Sequence, residues 1–516
     1  MHRNSESHIA TLAILAREAA LRKGQHPMGI RTGRQYLDSL RDEREIHIDG
    51  RRVRNVGQDA AFRGAAQTVA DLYDLQHAAD TQDVLTVLDP DSGERIARSF
   101  AQPRTLEELQ ARGRAMKRVA DATCGLLGRT PDFMNVGITA LAAASSIFDG
   151  SASGRAFAGN VRAYHAHVKA NDLTMTHVQV NPQVDRSKQV FEQKDDIALK
   201  IVKETDAGFY VHGSRWVGTL AQLANEIVVM PSVVVVNDSK GEDYAFAFAL
   251  PIATPGIRMV SRPSVVPGSA GHYLDNPLSN QFDEGDAVVI FDNVFVPWER
   301  AFVYRDPALC NRIYKLTYLS EHYTHQTMCR TMAKAEFMAA LAVYMARSVK
   351  VDAFPNVQGM LTELLIFVEM QQALVAQAER KASPTTFGTW APNKWPLHTA
   401  QLHFFERYGR MIDVVRAIGA GGLVGVPSYA DTQGEIGDLV EQYFGSAGQN
   451  SKDRIQLMRL AADASTSAFS GRQVLYERYY QGDPVRRAVG FFMDYPKDAM
   501  VQRIDELLAF HRAKAG

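Results

Sequence analysis

Two side chains in this 516-residue sequence stand where they could act on a bound molecule. Arg129 lies in Gly125-Leu126-Leu127-Gly128-Arg129-Thr130-Pro131-Asp132-Phe133, where two glycines and a proline break a helical pattern. His177 lies in residues 173–186, where helical periodicity gives way to strand. A guanidinium on a tight loop more often pairs with a local carboxylate or stays solvated than it does chemistry. Likewise, a lone histidine among apolar neighbours is more often a core residue than an acid–base group. The position of His177 at a join between segments favours a role, because ligand clefts form between domains. Other sets are weaker. His322 and His325 with Glu321 make only part of a metal-ligand set, so no metal is expected. Met328, Met332 and Met338 read as core filling. Cys124, Cys310 and Cys329 are far apart and lack C-x-x-C spacing, which fits a reducing cytoplasm. Gly419-Ala420-Gly421-Gly422 lacks the G-x-G-x-x-G spacing of a dinucleotide loop and reads as a helix cap and bundle turn.

The elements that hold these residues follow from periodicity. Residues 31–40 have a short helical period, and 45–53 alternate like a hairpin turning at Asp49-Gly50, a small β-element inside a helical domain. A second ribbon flanks residues 89–93. Thr105 and Glu108 form a capping-box pattern for a helix running to about Cys124. Pro131 disfavours helix at Thr130, and Asp132 is placed to cap the next helix through Ala144. After Arg186, β-branched runs at 208–212, 226–230, 232–236, 244–250 and 287–291 predict a β-domain. Residues 262–285, rich in Gly, Pro, Ser and Asn, exceed the ~12–15 residues beyond which a loop suggests a function, and read as a lid. From about Ala301 the helical period returns, with Leu361, Leu364, Leu365 and Val368 on one face of a bundle helix. The division is an extension 1–28, a mainly helical domain 29–173, a β-domain 174–301 and a helical bundle 302–516, an α+β fold.

With 57 basic and 58 acidic residues, no whole-chain field exists to hold nucleic acid or an anionic membrane. The apolar run from Ile9 meets Arg17 and Glu18 too soon for a signal segment or membrane span, so residues 11–22 read as a short helix of a soluble protein.

Several stretches share an order with a known family. They are Arg31-Thr32-Gly33 with Tyr36-Leu37, Leu72-Tyr73-Asp74-Leu75-Gln76-His77, Gly128-Arg129-Thr130-Pro131-Asp132, Thr176-His177 with Asn181-Pro182, Pro277-Leu278-Ser279, Val296-Pro297-Trp298-Glu299, and Leu475-Tyr476-Glu477-Arg478 with Gly482-Asp483-Pro484. Together they resemble the oxygenase component of two-component flavin-dependent monooxygenases of the 4-hydroxyphenylacetate 3-hydroxylase family, over nearly the whole chain from Arg31. The resemblance implies an acyl-CoA dehydrogenase-like architecture and a homotetramer. It also implies that reduced FAD arrives from a separate NAD(P)H-dependent reductase, reacts with oxygen to give a flavin hydroperoxide, and hydroxylates a phenol ortho to its hydroxyl. By motif position, Arg129 and His177 would take the phenol oxygen. A guanidinium and an imidazole suit that task, since oxygen transfer is faster to a phenolate. Gln183, Val184, Asp185, Arg186 and Thr219 match flavin-contacting positions, and Gln481, Gly482, Asp483 and Pro484 match a further flavin segment.

Two departures bear on the substrate. Phe133 stands where the family often has tyrosine, and Val233 replaces a hydroxyl residue that in some members helps hold a substrate carboxylate, leaving Ser232 alone. Both make the expected pocket more apolar and point to a phenol other than 4-hydroxyphenylacetate, larger or uncharged. Competing expectations keep the fold. One is an acyl-CoA dehydrogenase-like oxidation, or a 4-hydroxybutyryl-CoA dehydratase, whose iron–sulfur site the isolated Cys124 does not supply. The other is a non-catalytic flavin-binding member.

Overall fold

The computed structural model describes residues 29–150, 154–182, 184–193, 197–231, 239–266 and 272–516. The expected helix at 11–22, the strand at 232–236, and the candidates Gln183, Ser232 and Val233 lie outside the described residues.

Helix α1 (Gly33–Ser39) opens with a capping box between Thr32 and Gln35. The hairpin forms as expected, β1 (Glu45–Ile48) and β2 (Arg51–Val53), with Asp49 and Gly50 both at positive φ in the turn. Helix α2 (Arg63–Asp74) packs against α1 at Gly33, where a Cβ would lie 2.4 Å from the Ala70 carbonyl oxygen. The second ribbon also forms, β3 (Thr86–Leu88) with β4 (Arg95–Ala97). Helix α3 (Leu106–Ala122) starts where Thr105 accepts from the Glu108 N–H, and it stops short of Cys124, which takes φ +51° ahead of Gly125 at +65°. Helix α4 (Pro131–Ala143) differs from expectation at its start. Thr130 holds the capping position, Pro131 is the first helical residue, and Asp132 sits inside the first turn, accepting from the Gln326 side chain. Helix α5 (Ala158–Ala170) completes this part.

The β-layer contains β5 (Met175–Val178), β6 (Lys200–Thr205), β7 (Gly208–Thr219), β8 (Glu226–Val229), β9 (Phe246–Pro251), β10 (Ile257–Ser261), β11 (Asp286–Pro297) and β12 (Ala301–Tyr304). Among the described residues one sheet runs β2-β1-β10-β11-β7-β6 and a second β12-β9-β8-β5. Strand β1 pairs in parallel with β10, Ile46 opposite Met259, so the N-terminal hairpin extends the larger sheet instead of standing inside the helical part. The cause is burial: Ile46 and Ile48 are buried on one face and need a sheet to lie on. The two sheets meet through aromatic rings, Phe209 and Phe291 of one against Phe248 of the other.

Helix α6 (Pro277–Phe282) occupies part of the segment expected as a lid. The backbone N–H groups of Leu278 and Ser279 both donate to Asp463 at 2.8 Å, and Arg262 pairs with Asp283 and Asp286. The described part of 262–285 is thus anchored to the helical bundle rather than free to close.

The bundle comprises α7 (Pro307–Leu316), α8 (Leu319–Ser348), α9 (Pro355–Arg380), α10 (Lys394–Gly419), α11 (Ser451–Ser465), α12 (Ala468–Tyr479), α13 (Pro484–Asp494) and α14 (Asp498–Ala515). Helix α8 packs against α9 and α10 and also against α3 and α4, with Met328 and Met338 fully buried in the core. Gly419 ends α10 at a short 3-10 turn, as the glycine cluster implied. On α9, Leu361 and Leu364 are buried, but Leu365 of the same expected face is 50% exposed.

Candidate active site

A cleft of about 90 Å³ lies where α4, β5, α8 and the end of α12 meet. Arg129, Phe133 and His177 line it together, with Tyr323, Tyr480 and Gln481. The sequence could not show that Arg129 and His177 meet. The fold brings them to one wall because α4 and β5 pack against each other.

Arg129 is 7% exposed, and among the described residues its guanidinium makes no ion pair. The local-carboxylate use of this arginine is therefore absent. Glu284 is close, but one of its oxygens accepts the Arg129 backbone N–H at 2.8 Å and the other pairs with Arg472 at 2.7 Å. The guanidinium donates to the Tyr476 hydroxyl and lies 4.2 Å above the Phe133 ring, with the Tyr476 and Tyr480 rings at 5.5 and 5.8 Å. Rings and a hydroxyl hold the cation without neutralising it, which leaves it able to bind an anion. Gly128 permits this arrangement, since a Cβ there would lie 2.4 Å from the Tyr476 ring. Tyr476 is in turn fixed through its neighbour Glu477, which is buried between Arg330, at 2.6 and 2.8 Å, and Lys334. Those two cations hold the Glu477 carboxyl down at about 2 despite its burial.

His177 forms a ring wall with Phe133 at 5.5 Å and Tyr323 at 6.2 Å, and Phe133 stacks on Tyr323 at 4.3 Å. Its Nδ1 has no hydrogen-bond partner among the described residues. Burial, reinforced by the nearby Arg129 charge, pushes the imidazole pKa down to about 3, so at neutral pH it is an uncharged acceptor. Strand β5 is held in place by Thr176, whose hydroxyl donates to the Thr219 carbonyl at 2.8 Å.

The histidine pair on α8 is used differently. His322 Nδ1 accepts from Arg112 at 2.7 Å and His325 contacts Glu379 at 2.9 Å, so each ring has its own partner inside the bundle.

Residues 32–303 match the family model for the 4-hydroxyphenylacetate 3-hydroxylase N terminal, and residues 310–509 match that for its C terminal. The chain belongs to the 4-hydroxyphenylacetate 3-hydroxylase family. It is 36% identical over 480 residues to the 4-hydroxyphenylacetate 3-monooxygenase oxygenase component of Thermus thermophilus, covering 93% of this chain and 97% of that one. The corresponding protein of Geobacillus sp. is 34% identical over 484 residues, covering 93% and 97%. A solved structure of such an oxygenase component, complexed with FAD and 4-hydroxyphenylacetate, has a TM-score of 0.89 at 35% identity, over 94% of this chain and all of that one. The architecture is the acyl-CoA dehydrogenase-like one that the resemblance implied.

In this member of the 4-hydroxyphenylacetate 3-hydroxylase family, the cofactor candidates separate in space. Gln481 lines the cleft and donates to the Thr327 hydroxyl at 3.2 Å. Thr219 is buried, its hydroxyl donating to Asp286 at 2.8 Å. Gly482 has φ +97°, Asp483 caps α13 by accepting the Arg486 N–H, and Pro484 begins that helix, so all three serve a local turn. Val184, Asp185 and Arg186 follow β5 on a surface loop, with Val184 67% exposed and Asp185 accepting from Ser187, and none of them lines the cleft. The sequence reading missed Tyr323 and Tyr480. Tyr323 adjoins His322, which drew attention as a metal ligand, and Tyr480 adjoins Gln481, so the neighbourhoods were legible although the side chains were not.

Proposed function

We propose that this protein is the oxygenase component of a two-component aromatic monooxygenase. It takes reduced FAD from a separate NAD(P)H-dependent reductase and hydroxylates a phenol ortho to its hydroxyl. One oxygen atom of O2 enters the new C–O bond, the other leaves as water, and reduced FAD becomes FAD. The observation that carries this reading is Arg129, a buried cation without a counter-ion among the described residues, set in one cleft beside the neutral His177, whose Nδ1 has no partner among them.

The residues present fit a flavin. Gln481 and Arg487 offer side-chain donors at the cleft wall for the carbonyl and ring-nitrogen edge of an isoalloxazine. By motif position the resemblance adds Gln183, Val184, Asp185, Arg186, Thr219, Gly482, Asp483 and Pro484; of all the positions it assigns, Gln481 alone is on the cleft wall among the described residues. When bound, reduced FAD supplies the electrons and, with O2, an electrophilic oxygen atom. The chain's own residues prepare the phenol: the neutral His177 accepts a hydrogen bond from the phenol hydroxyl, Arg129 pairs with the oxygen left negative when that proton goes to solvent, and Phe133 with Tyr323 walls the ring. The electron density this gives the ortho carbon is what the oxygen atom needs.

The same reading includes a homotetramer. Helices α13 and α14 bury no residue, yet they expose Val489, Phe492, Met493, Val501, Ile504 and Leu508 in helical register. An apolar stripe of that length is covered by another copy of the chain. Helix α9 is long and apolar enough to cross a membrane, but it packs against α8 and α10, and with three free cysteines the protein is assigned to the cytoplasm.

The test is to mix the purified protein with chemically reduced FAD and a panel of phenols including 4-hydroxyphenylacetate, admit oxygen, and analyse for catechols. A catechol from at least one phenol is expected. Flavin oxidation with no catechol from any phenol defeats the monooxygenase reading and leaves the non-catalytic flavin-binding member.

A further inference from the structure

Arg472 and Tyr476 stand one helical turn apart on α12 and share a face. The Arg472 guanidinium lies 4.4 Å above the Tyr476 ring, and the Tyr476 hydroxyl accepts from Arg129. Arg472 also donates to Glu284 Oε1 at 2.7 Å and to the two Asp286 oxygens at 2.8 and 3.0 Å. Glu284 is 0% exposed, and Arg472 is its one ion-pair partner among the described residues. Its other oxygen, Oε2, accepts the Arg129 backbone N–H at 2.8 Å. A buried carboxylate is thus bonded to the main chain of the same residue whose guanidinium makes no ion pair.

One side chain stands between that carboxylate and that guanidinium. A Cβ on Gly128 would lie 2.5 Å from the Tyr476 hydroxyl and 2.7 Å from Glu284 Oε1, so both oxygens crowd the same backbone position, and the hydroxyl is already bonded to Arg129. Opposite charges this close attract strongly in a buried setting, and Arg472 competes with Arg129 for the same oxygen. The other cations nearby are engaged: Arg262 pairs with Asp283 and Asp286, and Arg330 and Lys334 pair with Glu477. Without the charge of Arg472, Glu284 would be a buried and unpaired carboxylate, which is a costly state. Arg129 is the neighbouring cation with no carboxylate of its own to hold.

We propose that Arg472 is a positioning residue for hydroxylation: it holds Glu284 away from the Arg129 guanidinium and so keeps that charge for the substrate. This rests on the reading of Arg129 as the partner of the phenolate oxygen. Arg472 does not line the cleft and acts only through Glu284. With Glu284 engaged, Arg129 is a cation open to the cleft; with Glu284 released, the carboxylate takes the place of the phenolate. Asp286 steadies the arm that does this, since it is shared between Arg472 and Arg262 and accepts from the Thr219 hydroxyl.

The experiment asks whether removing the charge of Glu284 repairs the loss of Arg472, using the full-length protein supplied with reduced FAD and a phenol that the wild type hydroxylates. Arg472→Gln should slow hydroxylation on the order of 10-fold or more, since each unit by which the bound phenol is harder to ionise is tenfold in phenolate. Adding Glu284→Gln should restore most of that rate, because no carboxylate is left to neutralise Arg129. Arg472→Lys, which keeps a charge beside Glu284, should lie between Arg472→Gln and the wild type. A double variant no faster than Arg472→Gln overturns the proposal, because two merely structural losses add instead of cancelling. If Arg472→Gln does not fold, the comparison is made on Arg472→Lys, whose rate Glu284→Gln should raise, and a fall overturns the proposal. A crystal structure of the folded Arg472 variant separates this proposal from the functional reading. The Glu284 carboxylate should lie on the Arg129 guanidinium, and a carboxylate that stays off it overturns the proposal whether or not any phenol is hydroxylated. A wild type that hydroxylates no phenol defeats the functional reading instead.

Discussion

Replacing Arg129 by methionine removes the charge while keeping a long apolar stem over Phe133 and Tyr476. A free phenol ionises near pH 10, and an opposite charge within about 4–6 Å lowers such a value by about 1–3 units. Beside Arg129 the bound phenol would then ionise between about 7 and 9, giving roughly 3–75% phenolate at pH 7.5 against about 0.3% without the charge. The neutral His177 cannot replace that charge, because burial keeps its pKa at about 3. Arg129→Met should therefore hydroxylate roughly 10- to 250-fold more slowly at pH 7.5. Single-turnover mixing with reduced FAD and oxygen separates the two outcomes of each cycle: flavin reoxidation should persist, with hydrogen peroxide in place of catechol. The variant's hydroxylation should climb with pH toward 10, where the wild type has already levelled off. A variant that makes catechol at the wild-type rate, or whose loss is the same at pH 7 and pH 10, refutes the argument that Arg129 acts through the phenolate.

Glu477→Gln leaves Arg330 and Lys334 without their carboxylate in the core. Denaturant unfolding should show a loss of about 3–5 kcal/mol, and hydroxylation should fall further than stability alone explains because Tyr476 loses its support. His177 has a folded pKa of about 3, below its unfolded value near 6.5, so its contribution to stability is full above pH 6.5 and is lost as pH falls toward 3. Relative to His177→Phe, the wild type should lose at most about 1.4 kcal/mol per pH unit across that window, and parallel stability–pH curves for the two proteins would contradict it. Replacing Ile504 and Leu508 of the exposed α14 face by glutamate should dissociate the proposed tetramer in light scattering, with the melting curve of the released subunit still cooperative, and an unchanged mass would contradict the proposed interface.

Several local elements were legible because each rests on local pattern. The hairpin at Asp49-Gly50, the cap at Thr105 and the helix stop before Gly125 all depend on residues within a few positions of one another. What sequence did not show depends on distant partners. The hairpin joins the large sheet through parallel pairing with residues 258–260, which no alternation of apolar residues encodes. Asp132 suited a helix cap by spacing, but Pro131 starts the helix one residue earlier and Gln326 of α8 takes the carboxylate. Leu365 fits the apolar face of α9 by period, yet half of it remains exposed in the single chain. Within the site, Arg129 and His177 were named from loop chemistry and resemblance, whereas the use of Glu284 by the Arg129 backbone N–H and by Arg472, which leaves the guanidinium without an ion pair among the described residues, appears only once those neighbours are in place.

The central claim is that this chain itself transfers an oxygen atom from O2 to a phenol when given reduced FAD. Supplying the purified protein with anaerobically reduced FAD and each of a panel of phenols that includes 4-hydroxyphenylacetate, then admitting ¹⁸O2, tests it by mass spectrometry of the products. The account predicts a catechol carrying one ¹⁸O atom, formed without the reductase present. A catechol without ¹⁸O, or flavin oxidation that yields hydrogen peroxide and no catechol, would contradict it.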